Sequence, residues 1–206
     1  MMPTSTEGET RGTSTNPKYT IVAMTASAGG IKALTTVLSG FPSDFPAPIV
    51  VVQHLAPNHR SLLPEILERR CSMHVKQAEE GDTLEPSTAY VAPPDQHLLV
   101  NGDGTLSLSH SDLVHFVRPS ADLLFESVAA SHEDQAIAVV LTGTGSDGTM
   151  GVKAVKKMGG LVIVQDSESA EFSGMPRAAV ETGVVDHILP LEEITARLVE
   201  LVDEPH

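Results

Sequence analysis

Two kinds of apolar pattern alternate along the chain. Short continuous apolar runs are typical of buried parallel strands, and apolar residues that recur every three or four positions are typical of helices. The first kind predicts strands at residues 19–24, 49–53, 89–92, 98–100, 106–109, 136–142, 161–164 and 184–189. The second kind predicts helices at residues 31–38, 62–70, from 120 onward, 148–158, 176–182 and around 194–202. This alternation predicts a single α/β domain with a doubly wound, mostly parallel sheet.

The segment 75–109 departs from the alternation. Its short β-like runs are separated by Pro93-Pro94 and by the sequence Asn101-Gly102-Asp103-Gly104, which is a strong hairpin signal. We therefore expect an antiparallel hairpin at one edge of the sheet. Residues 1–18 are rich in Thr, Ser, Gly and Glu and predict a disordered tail, whereas residues 19–203 predict the folded domain.

Composition narrows the classes of function. The formal net charge of the 206 residues is −14, which argues against a surface that binds nucleic-acid phosphates. No apolar stretch reaches the roughly 18 residues of a membrane span. The single cysteine, Cys71, cannot form an intramolecular disulfide, and this suits a reducing cytoplasm.

Three side chains suited to nucleophilic catalysis follow three predicted strands. Ser27 follows the first strand, His54 follows the second, and Asp147 follows the strand at 136–142. Because ligands of open parallel sheets bind beyond the carboxyl ends of the strands, we expect the three to meet at one edge. There Ser27 would attack a carbonyl, His54 would transfer its proton, and Asp147 would orient the imidazole.

Glycines accompany two of these residues. Gly29 and Gly30 permit a tight turn into a helix whose first N–H groups favour negative charge near Ser27. Gly143 and Gly145 would bring further N–H groups close to the oxyanion of a tetrahedral intermediate. Each feature alone has a commoner explanation, since a Ser before Gly-Gly is usually a turn or helix cap. Their joint placement at three strand ends favours acyl transfer.

Other chemistries fit the chain less well. The histidine pairs His54 and His59, and His110 and His115, are five residues apart, which does not match the metal-binding H-E-x-x-H spacing. We therefore predict no metal site and no cofactor. The turn at Ser27 could cradle a phosphate, but it matches neither G-x-G-x-x-G nor the P-loop. A non-catalytic adaptor with the same fold remains the alternative to an enzyme.

Seven short motifs between residues 21 and 201 occur in an order specific to one protein family. They are Ser27-Ala28-Gly29-Gly30, Val51-Val52-Gln53-His54, Tyr90-Val91-Ala92-Pro93-Pro94, Arg118-Pro119-Ser120-Ala121-Asp122-Leu123-Leu124-Phe125, Leu141-Thr142-Gly143-Thr144-Gly145-Ser146-Asp147-Gly148, Gln165-Asp166 and Gly174-Met175-Pro176. With these motifs the chain resembles the catalytic domain of protein-glutamate methylesterases, the CheB family of bacterial chemotaxis.

The resemblance implies a cytoplasmic hydrolase of glutamate γ-methyl esters on chemoreceptor helices, with glutamine deamidation at related sites. It maps the family triad onto Ser27, His54 and Asp147. Candidate oxyanion donors are the backbone N–H groups of Ala28, Thr144 and Gly145. Met175 and Arg118 are candidates for the substrate cleft, with core packing and a structural ion pair as their respective alternatives.

The chain also departs from the family pattern. Ala28 and Thr144 stand where the family usually has Thr and Met, and Val117 replaces a usual His, with His115 two places earlier. Fewer than 20 residues precede the first predicted strand, too few for the family's N-terminal receiver domain. We therefore expect a stand-alone methylesterase that is either constitutively active or controlled by a separate response regulator or kinase.

Overall fold

The computed structural model describes residues 19–54, 61–114 and 116–203. The expected tail at 1–18 and the histidines His59 and His115 lie outside these residues. The strands, in chain order, are β1 (Ile21–Ala26), β2 (Ile49–Gln53), β3 (His74–Gln77), β4 (Thr88–Val91), β5 (His97–Val100), β6 (Leu106–Ser109), β7 (Ala136–Val140), β8 (Leu161–Gln165) and β9 (His187–Leu189). The α-helices are α1 (Gly30–Ser39), α2 (Leu63–Glu68), α3 (Ala121–His132), α4 (Thr149–Lys157), α5 (Gly174–Glu181) and α6 (Leu191–Asp203).

Seven strands form a wholly parallel sheet in the order β3-β4-β2-β1-β7-β8-β9. Successive residues of β1 face opposite sides, so Val22 and Met24 enter one core while Ile21 and Ala23 enter the other. Helices α1, α2 and α6 cover the first side, and α3, α4 and α5 cover the second. This is the doubly wound α/β fold that the apolar pattern predicts.

The predicted hairpin is present but stands apart from the main sheet. Strands β5 and β6 pair with each other in a separate antiparallel sheet, and Gly104 turns the chain with φ of 80°. Leu98 and Leu106 of this hairpin pack with Leu124 and Val128 of α3. The hairpin is thus a cover over α3 rather than an extension of the sheet edge.

Most element bounds agree with the predictions to within about three residues. The exception is β3, which has no predicted counterpart. Only Val75 of its four residues is buried, so the segment lacks the continuous apolar run of the other strands. Among the described helices, none is long and apolar enough to cross a membrane.

The order of the strands determines where a ligand can enter. In the sheet, β2, β4 and β3 lie on one side of β1, and β7, β8 and β9 lie on the other side. The topological switch point of this fold lies between β1 and β7, and ligands of open parallel sheets bind beyond the carboxyl ends of the strands near such a point. Ser27, His54 and Asp147 follow β1, β2 and β7, which are adjacent strands.

Candidate active site

Asp147 lies at the buried end of the site, between β7 and the start of α4. Its side chain is only 6% exposed. Its Oδ1 accepts hydrogen bonds from the Ser120 hydroxyl at 2.9 Å and the Asp122 N–H at 3.2 Å, and its Oδ2 accepts one from the Ala121 N–H at 2.6 Å. The two N–H groups belong to the first turn of α3. The carboxylate thus occupies an anion site at the positive end of a helix.

This environment keeps the carboxylate ionised. Burial alone would raise the pKa of Asp147, but the hydrogen bonds from His54, Ala121 and Asp122 and the charge of His54 together lower it below its ordinary value. Asp147 is therefore a permanent negative charge at neutral pH.

His54 connects this buried charge to the open side of the site. Its Nε2 lies 2.8 Å from Asp147 Oδ2, and its side chain is 14% exposed. An ionised carboxylate can only accept hydrogen bonds, so Nε2 carries the proton and Nδ1 holds the lone pair. The pairing fixes the tautomer and leaves Nδ1 as the basic nitrogen.

Ser27 lies in the turn between β1 and α1. Its N–H donates to Thr142 O at 3.0 Å, and its carbonyl accepts from the Gly30 N–H at 2.9 Å. The amide nitrogen of Gln53 donates to the carbonyls of both Ser27 (2.8 Å) and His54 (3.0 Å). Gln53 therefore links the loop that carries Ser27 to the loop that carries His54.

A glycine is required beside this link. A Cβ at Gly30 would lie 1.9 Å from Gln53 Oε1 and 2.7 Å from Ala26 Cβ, so any side chain there would displace Gln53. Gly29 turns the chain with φ of 76°, the left-handed conformation that glycine adopts without strain.

Ser27 and His54 both line a surface cavity of about 850 Å³. Its other walls come from the start of α1, including Ile31 and Lys32, and from Ile66 and Arg70 at α2. Among the described residues the Ser27 hydroxyl has no hydrogen-bond partner. Hydrogen bonds between catalytic groups are often long or poorly aligned before substrate binds, so this geometry is compatible with a nucleophile. Asp147 lies behind the imidazole and does not line the cavity.

The predicted oxyanion donors have different surroundings. Thr144 and Gly145 are exposed, and Gly145 has φ of 87°. Ala28 lines the cavity beside Ser27. Gly143 was also expected to direct an N–H toward the oxyanion, and this is wrong, because its N–H donates to Phe172 O at 2.9 Å. The donor set therefore reduces to Ala28, Thr144 and Gly145.

Neither predicted cleft residue is placed to line the cavity. Met175 is only 1% exposed and packs in the core, where its sulfur would lie 2.3 Å from a Cβ at Gly143. Arg118 donates from Nε and Nη2 to Asp95 Oδ1 and from Nη1 to the carbonyls of His110 and Ser111. Core packing therefore describes Met175 better than a role in the cleft, and a structural ion pair describes Arg118 better.

Two further chemistries find no support in the structure. The described residues contain no group of three or more His, Cys, Asp or Glu side chains arranged to hold a metal ion. Burial raises the pKa of the Cys71 thiol to about 11, with a further contribution from the charge of Glu68. At neutral pH Cys71 is therefore a thiol and a poor nucleophile.

Comparison with known proteins identifies the family. The CheB methylesterase family model matches residues 22–198. The chain belongs to the CheB methylesterase family. The crystal structure of the Thermotoga maritima CheB methylesterase catalytic domain superposes with a TM-score of 0.86 at 39% identity, covering 89% of this chain and 99% of that one.

Relatives of two lengths match this CheB chain. A relative from Leptospira interrogans is 43% identical, and the match covers 89% of this chain and 95% of that protein. The protein-glutamate methylesterase/protein-glutamine glutaminase of Geobacillus kaustophilus is also 43% identical. The protein-glutamate methylesterase FrzG of Myxococcus xanthus is 40% identical. The matches cover 91% of this chain in both cases, but only 55% and 56% of those longer proteins.

Sequence reasoning missed three residues of this CheB site: Ser120, His97 and Gln53. Ser120 and Gln53 stand inside family-like motifs, and Gln53 immediately precedes His54. His97 is fully buried at the start of β5 and carries no signal in its local sequence. Its contact with the site depends on how the hairpin packs over α3.

Proposed function

We propose that this chain is a protein-glutamate methylesterase that hydrolyses glutamate γ-methyl esters, with glutamine deamidation as a second reaction. The observation that carries the proposal is the Asp147–His54 hydrogen bond of 2.8 Å, with His54 and Ser27 lining one cavity. A serine, a histidine and a carboxylate are the groups with which serine hydrolases cleave esters and amides. The names of the Geobacillus and Myxococcus relatives support the choice of glutamate side chains.

The reaction begins at Ser27. Its Oγ attacks the γ-carbonyl carbon while its proton passes to Nδ1 of His54, and Asp147 stabilises the resulting imidazolium. The C–OCH3 bond then breaks, and the leaving oxygen takes the proton from Nδ1 to leave as methanol. This step yields a glutamyl ester on Ser27. With glutamine as the substrate, ammonia leaves instead.

Water completes the cycle. It attacks the acyl carbon while His54 accepts one of its protons, and the C–Oγ bond of the acyl-enzyme breaks. The proton returns to Ser27 Oγ, and the product leaves as a glutamate side chain. Both tetrahedral intermediates place a negative charge on the former carbonyl oxygen. The N–H groups of Ala28, Thr144 and Gly145 are our candidates to stabilise it.

The expected substrates are methylated helices of chemoreceptor-type signalling proteins. The chemistry requires no metal or cofactor, because nucleophile, base and carboxylate all come from the chain. We place the reaction in the cytoplasm, in keeping with the resemblance. A separate response regulator or kinase is our candidate for a regulatory partner. A non-catalytic adaptor is the competing proposal, and a test of activity distinguishes the two.

Methanol release from methylated receptor tests the function. The wild-type chain should release methanol, and Ser27→Ala should reduce kcat by about 10⁴- to 10⁶-fold, as in other serine hydrolases that lose their nucleophile. Ser39→Ala provides a matched control, because Ser39 is an exposed serine at the far end of α1. Full activity in Ser27→Ala would contradict the mechanism, and no release by the folded wild type from any methylated receptor would favour the adaptor.

A further inference from the structure

Ser120 faces the catalytic carboxylate from the side opposite His54. It is fully buried, and its hydroxyl donates to Asp147 Oδ1 at 2.9 Å. The other carboxylate oxygen, Oδ2, faces Nε2 of His54 at 2.8 Å. A donor on Oδ1 restricts rotation of the carboxylate about its χ2 bond, which is otherwise soft. Ser120 thereby keeps Oδ2 directed at the imidazole.

The position of Ser120 is itself determined by a buried histidine. The Ser120 N–H donates to Nδ1 of His97 at 3.1 Å, and Nε2 of His97 lies 3.1 Å from the carbonyl of Asp112. Since an N–H can only donate and a carbonyl can only accept, His97 is neutral with its proton on Nε2. His97 is fully buried in β5, so the hairpin contributes directly to the geometry behind Asp147.

Ser120 does not perform the usual task of a serine at this place. It immediately precedes α3 in the N-cap position, yet its side chain caps none of the N–H groups of that helix. Asp147 accepts the Ala121 and Asp122 N–H groups instead. The hydroxyl is therefore directed at a catalytic group, in a position where serines ordinarily serve the helix.

We infer that Ser120 is a positioning residue for the Asp147–His54 pair and that His97 acts by positioning Ser120. The inference rests on the proposed function and extends it to a second layer of hydrogen bonds behind the triad. Such layers orient the groups that touch the substrate, and in metal sites the loss of one such partner commonly costs 10- to 100-fold in affinity or activity.

Ser120→Ala is the direct test, with Ser127→Ala as its matched control. Ser127 is a serine of α3 with a part-buried hydroxyl. That hydroxyl donates to Leu124 O and accepts from the Val100 N–H, and it makes no hydrogen bond with Asp147. We expect Ser120→Ala to lower kcat about 10- to 100-fold with KM nearly unchanged. Ser127→Ala should keep kcat within about threefold, whatever its effect on thermal stability.

The pH profile separates positioning from simple packing. The Ser120 hydroxyl stabilises the ionised carboxylate, so its removal raises the pKa of Asp147. The acid limb of the kcat/KM profile, which reports the coupled pair, should therefore move to higher pH. His97 and Asp122 are the other titratable residues bonded to this network, and neither is altered in Ser120→Ala.

A double-mutant cycle tests the role of His97. If His97 acts through Ser120, His97→Gln should lower kcat in the wild type but change it less than about twofold in the Ser120→Ala background. Additive losses would overturn this part of the inference. A kcat of Ser120→Ala within threefold of the wild type, or a loss of activity with the acid limb unmoved, would overturn the role of Ser120.

Nuclear magnetic resonance of the histidine rings makes the test independent of catalysis. In the ¹⁵N-labelled chain, the titration of the His54–Asp147 pair should move upward in Ser120→Ala and stay in place in Ser127→Ala. If the wild type releases no methanol but the titration still moves, the proposed function fails and the positioning role stands. If methanol is released and the titration does not move, the positioning role fails alone.

Discussion

Asp147 and Ser27 stand at the ends of neighbouring strands, yet their surroundings differ. Asp147 is 6% exposed and accepts hydrogen bonds from Ser120, Ala121, Asp122 and His54. Ser27 is half-buried beside a cavity of about 850 Å³. The Asp147 side is thus fixed within the core before substrate arrives, whereas the Ser27 side is open to solvent.

This difference fits the chemistry that we propose for each side. In that mechanism the carboxylate stabilises an imidazolium at the instant it forms, and preorganised donors and charges do so without reorganisation. The proposed nucleophile and oxyanion donors must instead admit a protein substrate. The exposure of Thr144 and Gly145 is in keeping with that proposal. Changes on the buried side should therefore alter both stability and catalysis, and changes outside the site should alter only stability.

The largest expected effect comes from Asp147→Asn. The amide cannot accept from all of the surrounding donors, and it would favour the wrong tautomer of His54. We expect kcat to fall about 10³- to 10⁴-fold, by analogy with the corresponding change in known serine hydrolases. Methanol release measures this effect, and exposed Asp44→Asn is the control. A fall in kcat of less than tenfold would mean that the buried carboxylate of Asp147 contributes little to catalysis.

Gly143→Ala probes the buried floor beneath Ser27. The added Cβ would lie 2.3 Å from Met175 Sδ and 2.9 Å from Ser27 Cβ, so at least one of these residues must move. We expect a loss of about 1–3 kcal/mol in the free energy of unfolding, typical of overpacking. We also expect at least a tenfold fall in kcat, because displacing the nucleophile by about 1 Å is costly.

Gly102→Ala is the matched control for this change, because a Cβ there meets nothing within 4 Å. Urea denaturation and methanol release measure the two effects. Wild-type activity in Gly143→Ala would show that the residues packed beneath Ser27 can move without harm to catalysis and that the position of Ser27 is adjustable.

Arg118→Ala should change stability without changing catalysis. The variant loses hydrogen bonds to Asp95, His110 and Ser111, and we expect about 1–2 kcal/mol less stability. Since Arg118 does not line the cavity, KM should change by less than about threefold. A tenfold rise in KM with an unchanged free energy of unfolding would instead indicate that Arg118 contacts the substrate.

The smallest effect depends on pH. The folded-state pKa of Asp147 is depressed, so its carboxylate stabilises the fold above its unfolded pKa of about 3.9. That stabilisation is lost as the pH falls through the folded value. The difference in unfolding free energy between wild type and Asp147→Asn should therefore be constant above about pH 5 and shrink below about pH 4. A difference that stays constant on acidification would contradict the depressed pKa.

Much of the site could be predicted because it depends on local features. Continuous apolar runs identify β1, β2 and β7, and parallel strands bring their carboxyl ends to one edge. The residues that follow these strands are therefore neighbours, whatever the details of packing. The same reasoning predicts the hairpin, because the Asn-Gly-Asp-Gly sequence determines a turn locally.

The features that were missed depend on packing between distant segments. Ser120 meets Asp147 across 27 residues because α3 packs beside α4, where the Gly151 N–H donates to the Asp122 side chain. His97 reaches Ser120 only because the hairpin lies over α3. The sequence leaves two roles open for Arg118, the cleft and an ion pair, because its partner Asp95 is 23 residues away and cannot be recognised from sequence spacing.

Labelling with a fluorophosphonate is the most direct test of the central claim that Ser27 is a nucleophile activated by His54 and Asp147. In this reaction Ser27 Oγ attacks phosphorus, fluoride leaves, and His54 takes the proton. Mass spectrometry should find one adduct per chain, on Ser27, with a rate at least 100-fold lower in His54→Gln. An adduct on another residue, or equal rates in the two proteins, would contradict the account.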